Sequence, residues 1–143
     1  NNDFDANDLL QETFIKAFLH IGQYDPAYSF EGWLHIIARN TFLDAVRRKA
    51  VKGNILVDSD LVRDIIENDR EEPFLVTERK ELLACRIGEL PFIYRQVLEM
   101  RYFVGLDYTE IAEELQLPVG TVKTRLHRAK NELKKRITDR HDF

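Results

Sequence analysis

Thr121, Lys123, Thr124, Arg125, His127 and Arg128 stand within eight consecutive residues and carry the densest chemistry in the chain. Short hydroxyl side chains beside cations suit a nucleic acid. Arg and Lys pair with guanine edges or phosphates, and Thr bonds a base or meets a thymine methyl. The surrounding stretch, DYTEIAEELQLPVGTVKTRLHRAK from Asp107 to Lys130, explains how such residues are presented. Ile111 and Leu115 face inward from a first short helix, and small Ala112 lets a second helix approach. Leu117 anchors the turn, and Pro118 stops the first helix from continuing. Val122 and Leu126 pack the second helix back onto the first. The six side chains then point outward from a helix suited to the major groove. A helical hairpin with a merely solvated basic face is the plain alternative. The turn and the concentration of charge favour DNA.

The charge pattern agrees, although the net charge of −4 at first argues otherwise. From Arg39 to Lys52 there are five cations and one acid; from Pro118 to Phe143 there are eight cations and three acids. Between them, Gly53 to Glu81 holds nine acids and four cations. A polyanion responds to local potential, screened over about 8–10 Å, not to total charge. Two basic segments in an acidic chain imply two separate DNA contacts.

Other chemistries find little support. The acids from Asp58 to Glu72 would suit Mg²⁺ and phosphoryl transfer. No glycine-rich phosphate loop, nucleophile elbow or paired-His zinc motif accompanies them. His20, His35, His127 and His141 stand at no ligand spacing. The expectation is no catalytic residue, no metal and no cofactor. Cys85 is the single cysteine, which fits a reducing cytosol. It is expected to be a small buried helix residue. No apolar run approaches a membrane span and no secretory signal opens the sequence, so membrane insertion is not expected.

The elements that must position these residues are all helical. Leu9, Leu10, Phe14, Phe18 and Ile21 form an apolar stripe at helical spacing. Asp5 or Asn7 is expected to cap that helix and Gly22 to end it. Asp25-Pro26 marks a loop. Ser29 then caps a helix running to about Lys49, with Phe30, Trp33, Leu34, Ile37 and Ala38 on its packed side. Ala50 to Val76 reads as an acidic linker interrupted by Pro73, with one short helix from Asp60 to Glu67. Thr77 is expected to cap a helix reaching Gly88. Leu90-Pro91 starts the next, and Gly105 ends it. Thr109 to Leu115 and Gly120 to Ile137 form the final pair. The fold class is all-α: two small helical domains, 1–49 and 77–143, joined by the linker 50–76.

Leu90 to Lys135 resembles the minus-35-binding domain of extracytoplasmic-function sigma factors, most closely in LPVGTVKTRLHRAKNEL. The resemblance places Lys123, Thr124, His127 and Arg128 at positions that contact the minus-35 element. Two further segments resemble the same family. Asp8 to Phe14, DLLQETF, is similar to the helix that docks on the polymerase clamp, which implies that Asp8, Gln11 and Glu12 bind polymerase. Phe30 to Arg48, FEGWLHIIARNTFLDAVRR, is similar to the helix that opens and reads the minus-10 element. The resemblance implies base capture by Tyr24 and Asn40, while Arg39, Arg47 and Arg48 hold phosphates. It also implies core RNA polymerase, promoter DNA and an anti-sigma factor as partners, and a cytoplasmic location. In the family a helix precedes the segment beginning at Asn1 and packs against the stripes of Phe14 and Trp33. The N-terminal half is therefore expected to be truncated and less ordered than the C-terminal half.

Two rival readings remain open at this level. A plain helix-turn-helix regulator, such as a response-regulator output domain, explains Asp107 to Lys130 equally well but leaves the segments Asp8 to Phe14 and Phe30 to Arg48 unexplained. A protein-interaction module would use both basic segments to hold an acidic partner.

Overall fold

The computed structural model describes residues 6–53, Leu61, Ile65 and 73–140. Every regular element among them is helical. Helix α1 spans Ala6–Leu19, a 3₁₀ turn covers Ile21–Gln23 and α2 spans Phe30–Val51. Helix α3 spans Pro73–Gly88, and α4 spans Phe92–Glu99 and runs on into a π-helical turn at Met100–Val104. Helices α5, Tyr108–Leu115, and α6, Val119–Asp139, follow. The chain divides into two compact units, Asn1–Ala45 and Val46–Phe143.

In the first unit, α1 buries only Thr13 and Ala17. The Thr13 hydroxyl donates to the Leu9 carbonyl at 2.7 Å, so its polar group is satisfied within its own helix. Thr41, Leu43 and Ala45 are the buried residues of α2 in this unit. Lys16 ties the two helices with an ammonium 3.7 Å from Asp44, while also reaching Glu12 at 3.4 Å. Ser29 caps α2 as expected, its hydroxyl accepting from the Gly32 amide at 3.3 Å. The loop before it closes on Asp25, whose side chain accepts from the Ala27 amide at 2.9 Å.

The apolar stripes of this unit are mostly uncovered. Phe14 is 53% exposed and Phe18 79%. Phe30 is also exposed, and Trp33, Leu34, Ile37 and Ala38 are only half-buried. The expected packed side of α2 is therefore covered only from Thr41 onward. Helix α1 ends at Leu19 rather than at Gly22, which sits inside the 3₁₀ turn without a left-handed conformation. Asn7 lies within α1, not before it, and Asp5 is outside the described residues.

The second unit has a continuous core. Val122, Leu126, Ala129, Leu133 and Ile137 bury one side of α6 at three- and four-residue spacing. They pack against α4 and α5, and α3 packs on α4 and α6. Leu83, Ala84, Ile87, Leu90, Val97, Leu98 and Ile111 complete the interior. Fully burying each Leu or Ile contributes roughly 1.5–3 kcal/mol before entropy is counted. Val46 and Ala50 of α2 are buried in this unit.

The start of α3 and the exposure of Cys85 differ from the sequence-based expectations. Pro73 opens α3 rather than interrupting a linker, because the missing N–H costs nothing in a first helical turn. Thr77 then lies inside α3. Cys85 is exposed, not buried, since it is two residues from Leu83 and points away from the Leu83–Ala84–Ile87 face. The expected short helix at Asp60 to Glu67 falls mostly outside the described residues; only Leu61 and Ile65 are described, and both are buried.

Candidate nucleic-acid interface

The interface is built on the turn between α5 and α6. Asp107 caps α5 through a reciprocal pair of bonds. Its carboxylate accepts from the Glu110 amide at 2.8 Å, and the Glu110 carboxylate accepts from the Asp107 amide at 3.3 Å. Gln116 ends α5 in a left-handed conformation, φ 53°. The Leu117 amide then donates to the Ala112 carbonyl at 3.0 Å, and Pro118 turns the chain into α6. Upstream, Gly105 takes φ 87° after the π turn, and the Leu106 amide returns to the Met100 carbonyl at 3.0 Å.

Helix α6 carries the candidate DNA-facing side chains opposite its buried stripe. Lys123, Thr124, His127 and Arg128 are exposed, and Thr121 and Arg125 are half-buried. No acid stands in its first turn, so nothing there opposes the positive end of the helix. Among the described residues neither Arg125 nor Arg128 has an ion-pair partner. The Thr124 hydroxyl donates to the Gly120 carbonyl at 3.0 Å, which fixes its rotamer and leaves its oxygen free to accept. His127 Nε2 lies 3.3 Å from Asn131 Nδ2. Thr121, Thr124, Arg125 and Arg128 also line a shallow groove of about 310 Å³, closed on its other side by Ile93 and Tyr94 of α4. Apolar and aromatic side chains beside hydroxyls and cations suit a sugar–phosphate strand.

Tyr108 and Arg101, which carry no signal in the motif itself, adjoin this face. Lys123 Nζ lies 5.9 Å from the Tyr108 ring centroid, and the Arg101 guanidinium 5.4 Å from the same centroid. The contact joins residues fifteen positions apart, so no local pattern announces it. The Asp107–Glu110 spacing, by contrast, was a readable capping signal.

The expected minus-10 residues divide between the units. Tyr24, Arg39 and Asn40 belong to the first. Tyr24 donates its hydroxyl to the Tyr28 carbonyl at 2.8 Å. Its ring packs beside Phe30 and Trp33, at 5.5 and 5.3 Å between centroids. The Asn40 amide oxygen is buried without a hydrogen-bond partner. Arg47 and Arg48 fall in the second unit. Arg47 donates to Glu99 at 2.8 Å, and Glu99 is 1% exposed; Arg95 lies 3.9 Å from the same oxygen. Arg48 is exposed. Asp8 and Gln11 are exposed on α1, with Glu12 half-buried beside Lys16.

Among the described residues no group of His, Cys, Asp or Glu is placed to hold a metal, and no helix is long and apolar enough to cross a membrane. A short capped helix, a tight turn and a second helix with a cationic outer face together define a helix-turn-helix DNA-binding protein. The sequence comparisons make the class specific. Residues 1–51 match the Sigma-70 region 2 family model, and residues 80–133 match Sigma-70, region 4. The ECF RNA polymerase sigma factor SigM of Bacillus subtilis is 36% identical over 129 residues, covering 90% of this chain and 77% of the relative. SigW of the same organism is 34% identical, covering 96% and 78%. A solved sigma factor RpoE bound to the anti-sigma factor NepR, from Bartonella quintana, aligns at 24% identity with a TM-score of 0.41, covering 91% of this chain and 79% of that one. The chain belongs to the ECF family of RNA polymerase sigma factors, a family of transcription initiation factors rather than catalysts.

Proposed function

We propose that this sigma factor binds core RNA polymerase and reads the minus-35 promoter element by laying α6 in the major groove. One observation carries the reading: α6 buries a complete apolar stripe while Lys123, Thr124, His127 and Arg128 stay exposed on its other side. Arg128 and Lys123 contact base edges or phosphates, Thr124 meets a base, and Thr121 and Arg125 hold the flanking strand. The resident charge is cationic, so affinity falls steeply with salt.

The remaining assignments follow the family. Residues 1–49 form the polymerase-docking and minus-10 domain, 50–76 the linker and 77–143 the minus-35 domain. Asp8, Gln11 and Glu12 dock on polymerase. Tyr24 and Asn40 take a flipped base, an idea supported by the unsatisfied Asn40 oxygen. Arg39 and Arg48 hold phosphates. Arg47 would join them only by leaving Glu99. The protein works in the cytoplasm with polymerase, performs no catalysis, and is held inactive by an anti-sigma partner.

A tethered cleavage reagent tests the reading. An iron chelate is attached to a His127→Cys side chain in a Cys85→Ser background, and the chain is bound with core polymerase to a promoter. The expected result is strand cleavage confined to the minus-35 element. Cleavage elsewhere, or spread evenly along the duplex, would refute the placement of α6.

A further inference from the structure

We infer that Tyr108 is a positioning residue for DNA recognition, holding the Lys123 ammonium in place through its ring; this rests on the proposed minus-35 role of α6. A lysine is a point charge on a flexible four-carbon stem, and ordering that stem on DNA costs rotamer entropy. A contact that orders it beforehand reduces the cost.

The structure supplies such a contact. Lys123 Nζ is 5.9 Å from the Tyr108 ring centroid, within the range where a cation is drawn to the ring face. Among the described residues Lys123 has no carboxylate partner, and the Tyr108 ring is what its ammonium approaches. Tyr108 is itself held firmly. It is the first residue of α5, directly after Asp107, and the reciprocal bonds between Asp107 and Glu110 fix the backbone around it. Arg101 braces the ring from α4's π turn, 5.4 Å from its centroid, and is in turn fixed by donating to the Leu106 carbonyl at 3.2 Å. Tyr108 as a whole is 38% exposed, so it stands at the surface beside the recognition helix. The turn geometry that orients α6 thus also orients a side chain on it. Tyr108 need not touch a base to affect which one is read.

The test is a double-mutant cycle in DNA affinity on the full chain. The probe is the duplex enriched from a randomised pool by the native chain, at fixed salt. Tyr108→Leu and Lys123→Ala each weaken binding, Tyr108→Leu by about three- to fivefold. The two together weaken it no more than Lys123→Ala alone. Tyr108→Phe, which keeps the ring, binds like the native chain. A loss from Tyr108→Leu that persists undiminished in the Lys123→Ala background would overturn the proposal, as would no loss from Tyr108→Leu. Loss from Lys123→Ala without loss from Tyr108→Leu rejects the positioning role and leaves the α6 reading standing. No loss from Lys123→Ala rejects both assignments for that lysine. A second measurement needs no variant. In the native chain the Lys123 ε-methylene protons are shifted upfield by the ring relative to those of Lys134, and equal shifts would contradict the contact.

Discussion

The two units of this chain use the same sequence device with opposite results. In α1 and the start of α2, large apolar residues recur at helical spacing yet remain exposed, with Phe14, Phe18, Ile21, Phe30 and Trp33 lining an open groove of about 390 Å³. In α6 an equally regular stripe is buried along its length. Periodicity therefore specifies which side of a helix is apolar, and a partner decides whether that side contributes stability. The second unit supplies partners from its own short helices. Among the described residues of the first, α1 and α2 have only each other and a 3₁₀ turn.

Truncating a side chain in each stripe should give the largest difference between the two units. Leu133→Ala should lower the unfolding free energy by about 3 kcal/mol, because the side chain is fully buried and leaves a cavity. Phe18→Ala removes a larger side chain but should change stability by less than about 0.5 kcal/mol. Chemical denaturation of both variants checks the pair, and comparable losses would mean that the exposed stripe is covered in solution. Arg47→Ala should cost about 2–3 kcal/mol by removing the 2.8 Å ion pair of the buried Glu99 carboxylate. A neutral result in the same assay would show that the pair does not persist. At the helix-turn-helix, Asp107→Ala should cost about 1 kcal/mol through loss of the cap on α5. The smallest effect runs the other way. Gln116→Gly should stabilise by roughly 0.5 kcal/mol, since the left-handed conformation strains a residue with a Cβ. An unchanged or lowered midpoint would argue against that strain.

The part of the fold that was legible in the sequence was the part decided locally. The α5–turn–α6 hairpin follows from Pro118, the inward Ile111, Val122 and Leu126, and the basic residues between them. The Ser29 cap and the Gly105 stop were legible for the same reason. Gly22 misled because a glycine can sit in a 3₁₀ turn as readily as at a helix end. Pro73 misled because proline both breaks helices and begins them. Cys85 was placed by residue type, when its register relative to Leu83 and Ile87 decides its exposure. In the candidate site, the six side chains from Thr121 to Arg128 were readable because one helix carries them all. The approach of Tyr108 to Lys123 and of Arg47 to Glu99 was not, because both depend on how separate helices meet.

In the proposed function, the exposed face of α6 reads promoter sequence. The most direct measurement is the affinity of the chain, with core polymerase, for a promoter and for the same duplex with its minus-35 element scrambled, comparing the native protein with Arg128→Ala. The substitution is expected to weaken promoter binding by about 1–3 kcal/mol and binding to the scrambled duplex far less, so that discrimination falls. Equal weakening on both duplexes would make Arg128 a phosphate contact. Unchanged affinity for both would contradict the claim that this face meets DNA.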